Sequence, residues 1–345
     1  MATDKQILLD AIHLKKTPRQ PVIILSGGVW ANKQIGLSLQ DSFDIGPEKA
    51  AENVIRTNEL VKSDLVWAAA GCNNLVLRAI GAKTTFSNVG VAASVDEPLI
   101  ESAEDVDKLD IDAIERDPGI AAMLETTRIL KEKIGDEVLI GISQWGPMTL
   151  GGLLMGTEDF MILTLKDKEA AEYIMNFTEK LTTKYWKLFV EAGAELVSQA
   201  EPSASGDMIS HKQFEKMVLP HLQATNKEID GLVKAKMLHI CGNINRLLPY
   251  LPQTGADVIS FDYKVDLKLA RETLGGKMAF AGKLDPVAVM HLGTPEQVTA
   301  LTREYIDEAD SQQGGYIVMP GCDLSPATPP ENIQAMVTAA KNTIF

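Results

Sequence analysis

With 345 residues, 45% of them hydrophobic, the chain is long enough for one large domain or two small ones and for a sizeable core. A formal net charge of −14 and a pI of about 4.9 argue against nucleic acid or an anionic membrane surface as a partner. Residues 1–7 do not read as a secretory leader, and no stretch reaches the ~18 uninterrupted apolar residues of a membrane span. The odd set of three cysteines (Cys72, Cys241, Cys322) fits a reduced, cytoplasmic protein better than a disulfide framework.

Taken in order, residues 3–16 carry apolar side chains at Ile7, Leu8, Ile12 and Leu14, a helical spacing that Pro18 and Pro21 stop. A short apolar run at 22–25, closed by Ser26-Gly27-Gly28, is the first predicted strand. An amphipathic helix over about 47–62 follows, then a strand at 64–70 closed by Gly71. Residues 75–98 read as an excursion with a hairpin, Gly81 and Gly90 at its turns, and the acidic stretch 96–118 as a solvated connection. Helices are expected at 119–134, 158–164, 168–192 and 211–231. Strands are expected at 137–143, 194–201, 236–241, 256–262, 277–282 and 315–320. Leu267–Leu274 and a segment opening at Thr294-Pro295 complete the helices, with Thr294 as N-cap and proline at N1; Thr328-Pro329-Pro330 repeats that grammar for the last helix.

Eight strands with helices between most of them argue a parallel α/β sheet, and the number favours closure into a (β/α)8 TIM barrel over an open sheet. No low-complexity linker or internal repeat divides the chain. It reads as one barrel domain over 1–345 with an N-terminal helical extension and an insertion around 75–118. In such a barrel, functional side chains gather at the C-terminal ends of the strands. The polar residues that interrupt apolar strands do fall there: Ser143 and Gln144, Gln199 and Glu201, His239 and Cys241, Asp262, Lys283 and Asp285, Cys322 and Asp323.

His239 and Cys241 are two apart, so on an extended strand both point to one face. A histidine and a cysteine there, with Cys322 brought in by the turn Pro320-Gly321-Cys322-Asp323, suit zinc. Three protein ligands leave the fourth tetrahedral position open, as in catalytic sites. The competing reading makes both cysteines small buried hydrophobes, but a packing cysteine has no need of a rigid turn. Cys72 has no histidine near it and reads as packing. His211 and His221 read as surface or helix-face residues, and Gly27-Gly28 lacks the grammar of a phosphate loop.

His239-Ile-Cys241-Gly242-Asn243, Ala281-Gly-Lys-Leu-Asp285-Pro286, Leu292-Gly-Thr-Pro-Glu296 and the run from Pro320 to Asn332 together resemble the methylcobamide:coenzyme M methyltransferases, zinc enzymes on a barrel of the uroporphyrinogen decarboxylase superfamily. Glu201-Pro-Ser-Ala-Ser205, Phe214 and Val218-Leu-Pro220 are similar to that superfamily's loop after the fourth strand. The likeness runs from about residue 137 to the end. It implies zinc on His239, Cys241 and Cys322, a methylcobalamin-type corrinoid carried by a partner protein as co-substrate, and a small thiol such as coenzyme M as methyl acceptor. A thiol placed on zinc is deprotonated, which makes a strong nucleophile at neutral pH.

Other roles stay open on the sequence. Glu201 is a fourth ligand or a nearby base, or else a loop carboxylate capping the Ser203 or Ser205 amides. Asp262 and Asp285 orient His239 through its other ring nitrogen, or satisfy strand-end amides. Trp145 packs on a corrin ring, or belongs to a structural Trp-Gly-Pro turn. The coenzyme M sulfonate needs cationic or amide donors, for which Lys33, Lys264, Lys283 and Arg246 are candidates. Decarboxylation of a polyanionic porphyrin is rejected, because residues 26–33 contain no arginine and a decarboxylase has no use for the cysteine pair. The runner-up reaction runs the other way, taking a methyl group from an aryl methyl ether or methylamine to cobalt(I). Tetrahydrofolate is another acceptor to consider, and a non-catalytic zinc protein is the reading of a different class.

Overall fold

The computed structural model describes residues 2–24, 28–38, 41, 45–68, 73–86, 94–311 and 314–345. Seven strands form one wholly parallel sheet: β1 (Leu65–Trp67), β4 (Leu139–Trp145), β5 (Leu196–Ala200), β6 (Ala235–Ile240), β7 (Val258–Phe261), β8 (Ala279–Leu284) and β9 (Tyr316–Pro320), hydrogen-bonded in that order. β2 (Thr84–Thr85) and β3 (Ser94–Val95) make a separate antiparallel pair.

The predicted first strand supplies the closure. Val22 forms a single parallel bridge with Val318 of β9. Around it, Ile23 N–H donates to the Val318 carbonyl at 3.0 Å, and Asp64 N–H, just before β1, donates to the Val22 carbonyl at 2.9 Å. An extended segment thus lies between the last strand and the first, and the sheet curls into the expected barrel. Leu25 to Gly27, the end of that predicted strand, lie outside the described residues, as do Cys72, Gly71 and Gly90.

Strand alternation sorts the core into two layers. Ile23, Leu65, Trp67, Leu139, Leu196, Ala235, Met237, Val258, Ala279, Ala281, Ile317 and Met319 form one cluster inside the barrel, joined by Leu8, Leu9, Ala11 and Ile12 of the first helix, Asp4–Ile12. That helix therefore packs against the lumen. The alternate residues, among them Ile142, Val197, Leu238, Ile259 and Phe280, pack outward on the surrounding helices. His239 continues the inward row Ala235, Met237, and the register sets Ala200, His239 and Ser260 side by side.

Four expectations are corrected. Residues 96–118 are not a merely solvated link: they form two 3₁₀ turns, Ala103–Lys108 and Ile111–Glu115, that bury Ala103, Val106 and Ile114. A helix at Pro147–Met155 follows β4 where only a turn was read. Gln199 faces outward and accepts from Thr225 Oγ1 at 3.2 Å, so it does not belong to the barrel mouth. Thr328 does not cap the last helix, Pro330–Lys341, whose N-cap is Pro329; Thr294 does cap Pro295–Glu308, with Gln297 completing a capping box. The helix predicted at 211–231 is present to Glu228, with a π turn at Phe214–Val218. Pro220 lies just beyond that turn and has no N–H to give a regular helical bond.

Candidate metal centre

β6 ends at Ile240, and Cys241 stands on the first residue beyond it. Gly242 then takes φ +75°, and a Cβ there would lie 2.5 Å from both Asp207 Oδ2 and Ser205 Oγ. Glycine suits this left-handed, crowded corner, which turns the chain away and leaves the thiol at the mouth. His239 Nε2 and Cys241 Sγ are 3.0 Å apart, and Cys241 Sγ and Cys322 Sγ 3.4 Å apart. The sulfurs are free thiols, well beyond the ~2.05 Å of a disulfide. All three donor atoms lie within 4.8 Å of one another, and among the described residues no other His, Cys, Asp or Glu group forms such a cluster.

The donor set fits zinc in kind and in spacing. Zinc–sulfur and zinc–nitrogen bonds of ~2.3 and ~2.0 Å in a tetrahedron put sulfur and nitrogen about 3.5 Å apart and two sulfurs about 3.8 Å apart, so the pairs found at 3.0 and 3.4 Å need open by only roughly half an ångström. The thiols favour a cation. Cys322 is drawn below the ordinary thiol range, first by its hydrogen bond with Cys241, in which either sulfur can donate. Cys241 is pushed well above the ordinary thiol range, first by that same bond and then by burial. A divalent ion between the two sulfurs would let both be thiolates.

His239, 5% exposed, is fixed from behind by Ser260, whose Oγ is 2.7 Å from Nδ1. Ser260 Oγ in turn lies 4.0 Å from Met319 Sδ, which can take its hydrogen. With Nδ1–H donating to Ser260, the Nε2 lone pair is left for the sulfur side of the ring, the tautomer a metal ligand needs. Sequence reasoning missed Ser260; the signal was a hydroxyl interrupting the apolar run Val258-Ile-Ser-Phe261.

The carboxylates do other work. Asp262 Oδ2 accepts from Gly242 N–H at 3.0 Å, and Asp285 Oδ1 accepts from the Val287 and Ala288 amides at 2.8 and 2.9 Å. Both carboxylates thus accept amides just beyond strand ends, and the hydroxyl of Ser260 is the group at hydrogen-bond distance from His239 Nδ1. Glu201 is fully buried. It accepts from Met148 N–H (3.0 Å), Thr149 N–H (2.9 Å) and Thr149 Oγ1 (2.7 Å), so it caps the helix Pro147–Met155 and not the Ser203 or Ser205 amides. Burial pushes it up to about 7 despite these bonds. Trp145, at the end of β4, is partly exposed, and its indole N–H donates to Asn74 Oδ1 at 2.6 Å. Of the lysines considered for an anionic tail, Lys264 pairs with Asp207 at 3.2 Å, and Lys283 donates to two backbone carbonyls. His221 is buried against Glu179 (2.6 Å) and Glu172 (3.2 Å), and His211 stacks on Tyr250.

The uroporphyrinogen decarboxylase (URO-D) family profile matches residues 3–343. A methylcobamide:CoM methyltransferase, MtbA, of Methanosarcina acetivorans is 32% identical over 249 residues, 72% of this chain and 71% of that one. MtaA of Methanosarcina barkeri, of the same printed activity, is 26% identical over 341 residues, 98% and 97% of the two chains. Among solved structures, a methyltransferase from Methanosarcina mazei superposes with a TM-score of 0.88 at 25% identity, covering 99% of this chain and 98% of that one. The chain belongs to the uroporphyrinogen decarboxylase family.

Proposed function

We propose that this protein transfers a methyl group from a methylated corrinoid to a small thiol, coenzyme M first among the acceptors, at a zinc ion held by His239, Cys241 and Cys322. The observation that carries the reading is the convergence of one imidazole and two thiols at the barrel mouth, with 3.0 and 3.4 Å between neighbouring donors. The relatives named methylcobamide:CoM methyltransferases support the choice of donor and acceptor. The family's name does not decide the reaction: a decarboxylase has no use for the cysteine pair, and residues 26–33 hold no arginine for a polyanionic porphyrin.

Zinc, when bound, supplies the positive charge that keeps an incoming thiol ionised at neutral pH. The chain's own residues do the rest. Cys241 and Cys322 present their sulfurs to one point, and His239 presents Nε2 because Ser260 holds Nδ1. Asp262 fixes Cys241 through the Gly242 amide. Glu201 and Asp285 serve as positioning groups, the first seating the helix after β4 and the second the loop after β8. His239, Cys241 and Cys322 would hold the ion as three protein donors, and an acceptor thiol would bind beside them. In the transfer, the carbon–cobalt bond of methyl-cobalt(III) breaks with its electron pair left on cobalt as cobalt(I), and the carbon–sulfur bond forms. Trp145, its ring steadied by Asn74, is the aromatic surface offered to the corrin. A corrinoid-carrying protein must bring cobalt to this mouth. Among the described residues no single helix is long and apolar enough to cross a membrane, and we place the protein in the cytoplasm.

The test is demethylation of free methylcobalamin, followed by its visible absorption, with coenzyme M, with tetrahydrofolate and with no acceptor, each with and without chelator. Turnover is expected with coenzyme M alone. It should vanish on chelation, return with added zinc, and be absent in Cys241→Ala and Cys322→Ala, both of which should also lose bound zinc. Turnover that survives metal removal, or full zinc retention in both variants, would contradict the reading.

A further inference from the structure

Lys283 is a residue in the wrong conformation for its side chain. It takes φ +93°, in the left-handed region, directly after Gly282 at φ +122°. Glycine adopts such angles freely, whereas any side chain there carries strain, and strain of this kind persists where the surroundings over-determine it. What holds Lys283 is its ammonium group. Nζ donates to the Tyr263 and Val265 carbonyls, both at 2.8 Å, and lies over the Tyr305 ring at 5.7 Å from its centroid.

The loop gripped in this way touches both sulfur-bearing turns. On one side, Asp262 Oδ2 accepts from the Gly242 amide at 3.0 Å, directly after Cys241. On the other, Gly321, directly before Cys322, packs so tightly that a Cβ there would lie 2.7 Å from Tyr263 N and 3.1 Å from the Asp262 carbonyl carbon. Gly321 N–H also donates to the Leu284 carbonyl at 2.7 Å, beside Lys283 itself. The 262–265 loop is therefore the shared backing of Cys241 and Cys322, which come from strands three places apart in the sheet.

We propose that Lys283 is a positioning residue for the metal centre: by clamping the 262–265 loop, it sets the separation of the two sulfurs and so the affinity for zinc. This rests on the zinc reading above. The ammonium touches no ligand; it acts through Asp262 and Gly321, and the strained backbone is the cost of keeping it there.

The experiment compares Lys283→Gly, which removes the ammonium and relieves the strain, with Lys283→Met, which removes the ammonium and keeps the strain. Zinc affinity is read by competition with a chromophoric chelator, and sulfur geometry by the thiolate-to-metal absorption of the cobalt(II)-substituted protein. Both variants are expected to bind zinc roughly 10- to 100-fold more weakly, the range seen when groups behind metal ligands are removed, with a shifted cobalt(II) spectrum. Circular dichroism of the metal-free proteins checks folding, and if one variant does not fold the other decides. Affinity within twofold of wild type and an unchanged spectrum, in either folded variant, would overturn the role of Lys283 alone. A wild-type protein that holds no zinc would overturn the reading beneath it, and this inference with it.

Discussion

Ser260 shows how far the ligands depend on residues behind them. Its Oγ is the 2.7 Å partner of His239 Nδ1, and with Nδ1–H as the donor Nε2 is left free. Ser260→Ala should leave the fold intact, since a buried hydroxyl is replaced by hydrogen at the same Cβ. Zinc should then bind roughly 10- to 100-fold more weakly, measured by chelator competition; unchanged affinity would mean that the imidazole is oriented by packing alone. At this scale the meeting of His239, Cys241 and Cys322 is legible in the sequence. His239 and Cys241 are two apart at a strand end, and Cys322 sits in a Pro-Gly turn. Ser260 is not, because it reaches His239 through the register of β7 against β6, and register is a tertiary fact. The roles weighed for Asp262 and Asp285 turned on the same missing information: without the register, neither carboxylate can be told from a hydroxyl one strand over.

Among the elements, the two Thr-Pro openings separate a working cap from a look-alike. Thr294 accepts from the Gln297 amide, whereas the buried Thr328 hydroxyl has no hydrogen-bond partner among the described residues, although the Thr328 carbonyl accepts from Trp30 Nε1. Thr294→Val should therefore cost about 1 kcal/mol of unfolding free energy. Thr328→Val, which trades an unpaired buried hydroxyl for a methyl of similar size, should be neutral or slightly stabilising. Denaturant titrations of both variants measure the difference, and equal losses would contradict the assignment. Long amphipathic helices such as Pro47–Val61 and Lys168–Glu191 were legible because one face is polar. Pro147–Met155 was not, because it is buried nearly all round and carries Gly151-Gly152 at its centre, so neither periodicity nor propensity marks it. In the 96–118 segment the acidic residues drowned the signal of Ala103, Val106 and Ile114.

For the whole molecule, the barrel's worth to the site is that it brings residues 81 apart in sequence to 3.4 Å without either lying in a flexible tail. Cys241 leaves β6, Cys322 leaves β9, and the two intervening strands carry Ser260, Asp262 and Lys283, the groups that hold the ligands in place. The barrel was legible from the alternation of strands and helices. Its closure was less so, because among the described residues the segment at 22 contributes a single bridge to β9. We propose that the whole length works as one domain on this frame. A zinc ion with three protein donors and one position for a thiol is open to a direct check by X-ray absorption at the zinc edge. Without acceptor, the zinc should show two sulfur neighbours at about 2.3 Å with nitrogen and oxygen completing the shell. On adding coenzyme M the sulfur count should rise to three. A shell already closed by four protein atoms, or a sulfur count that does not change with the thiol, would contradict it.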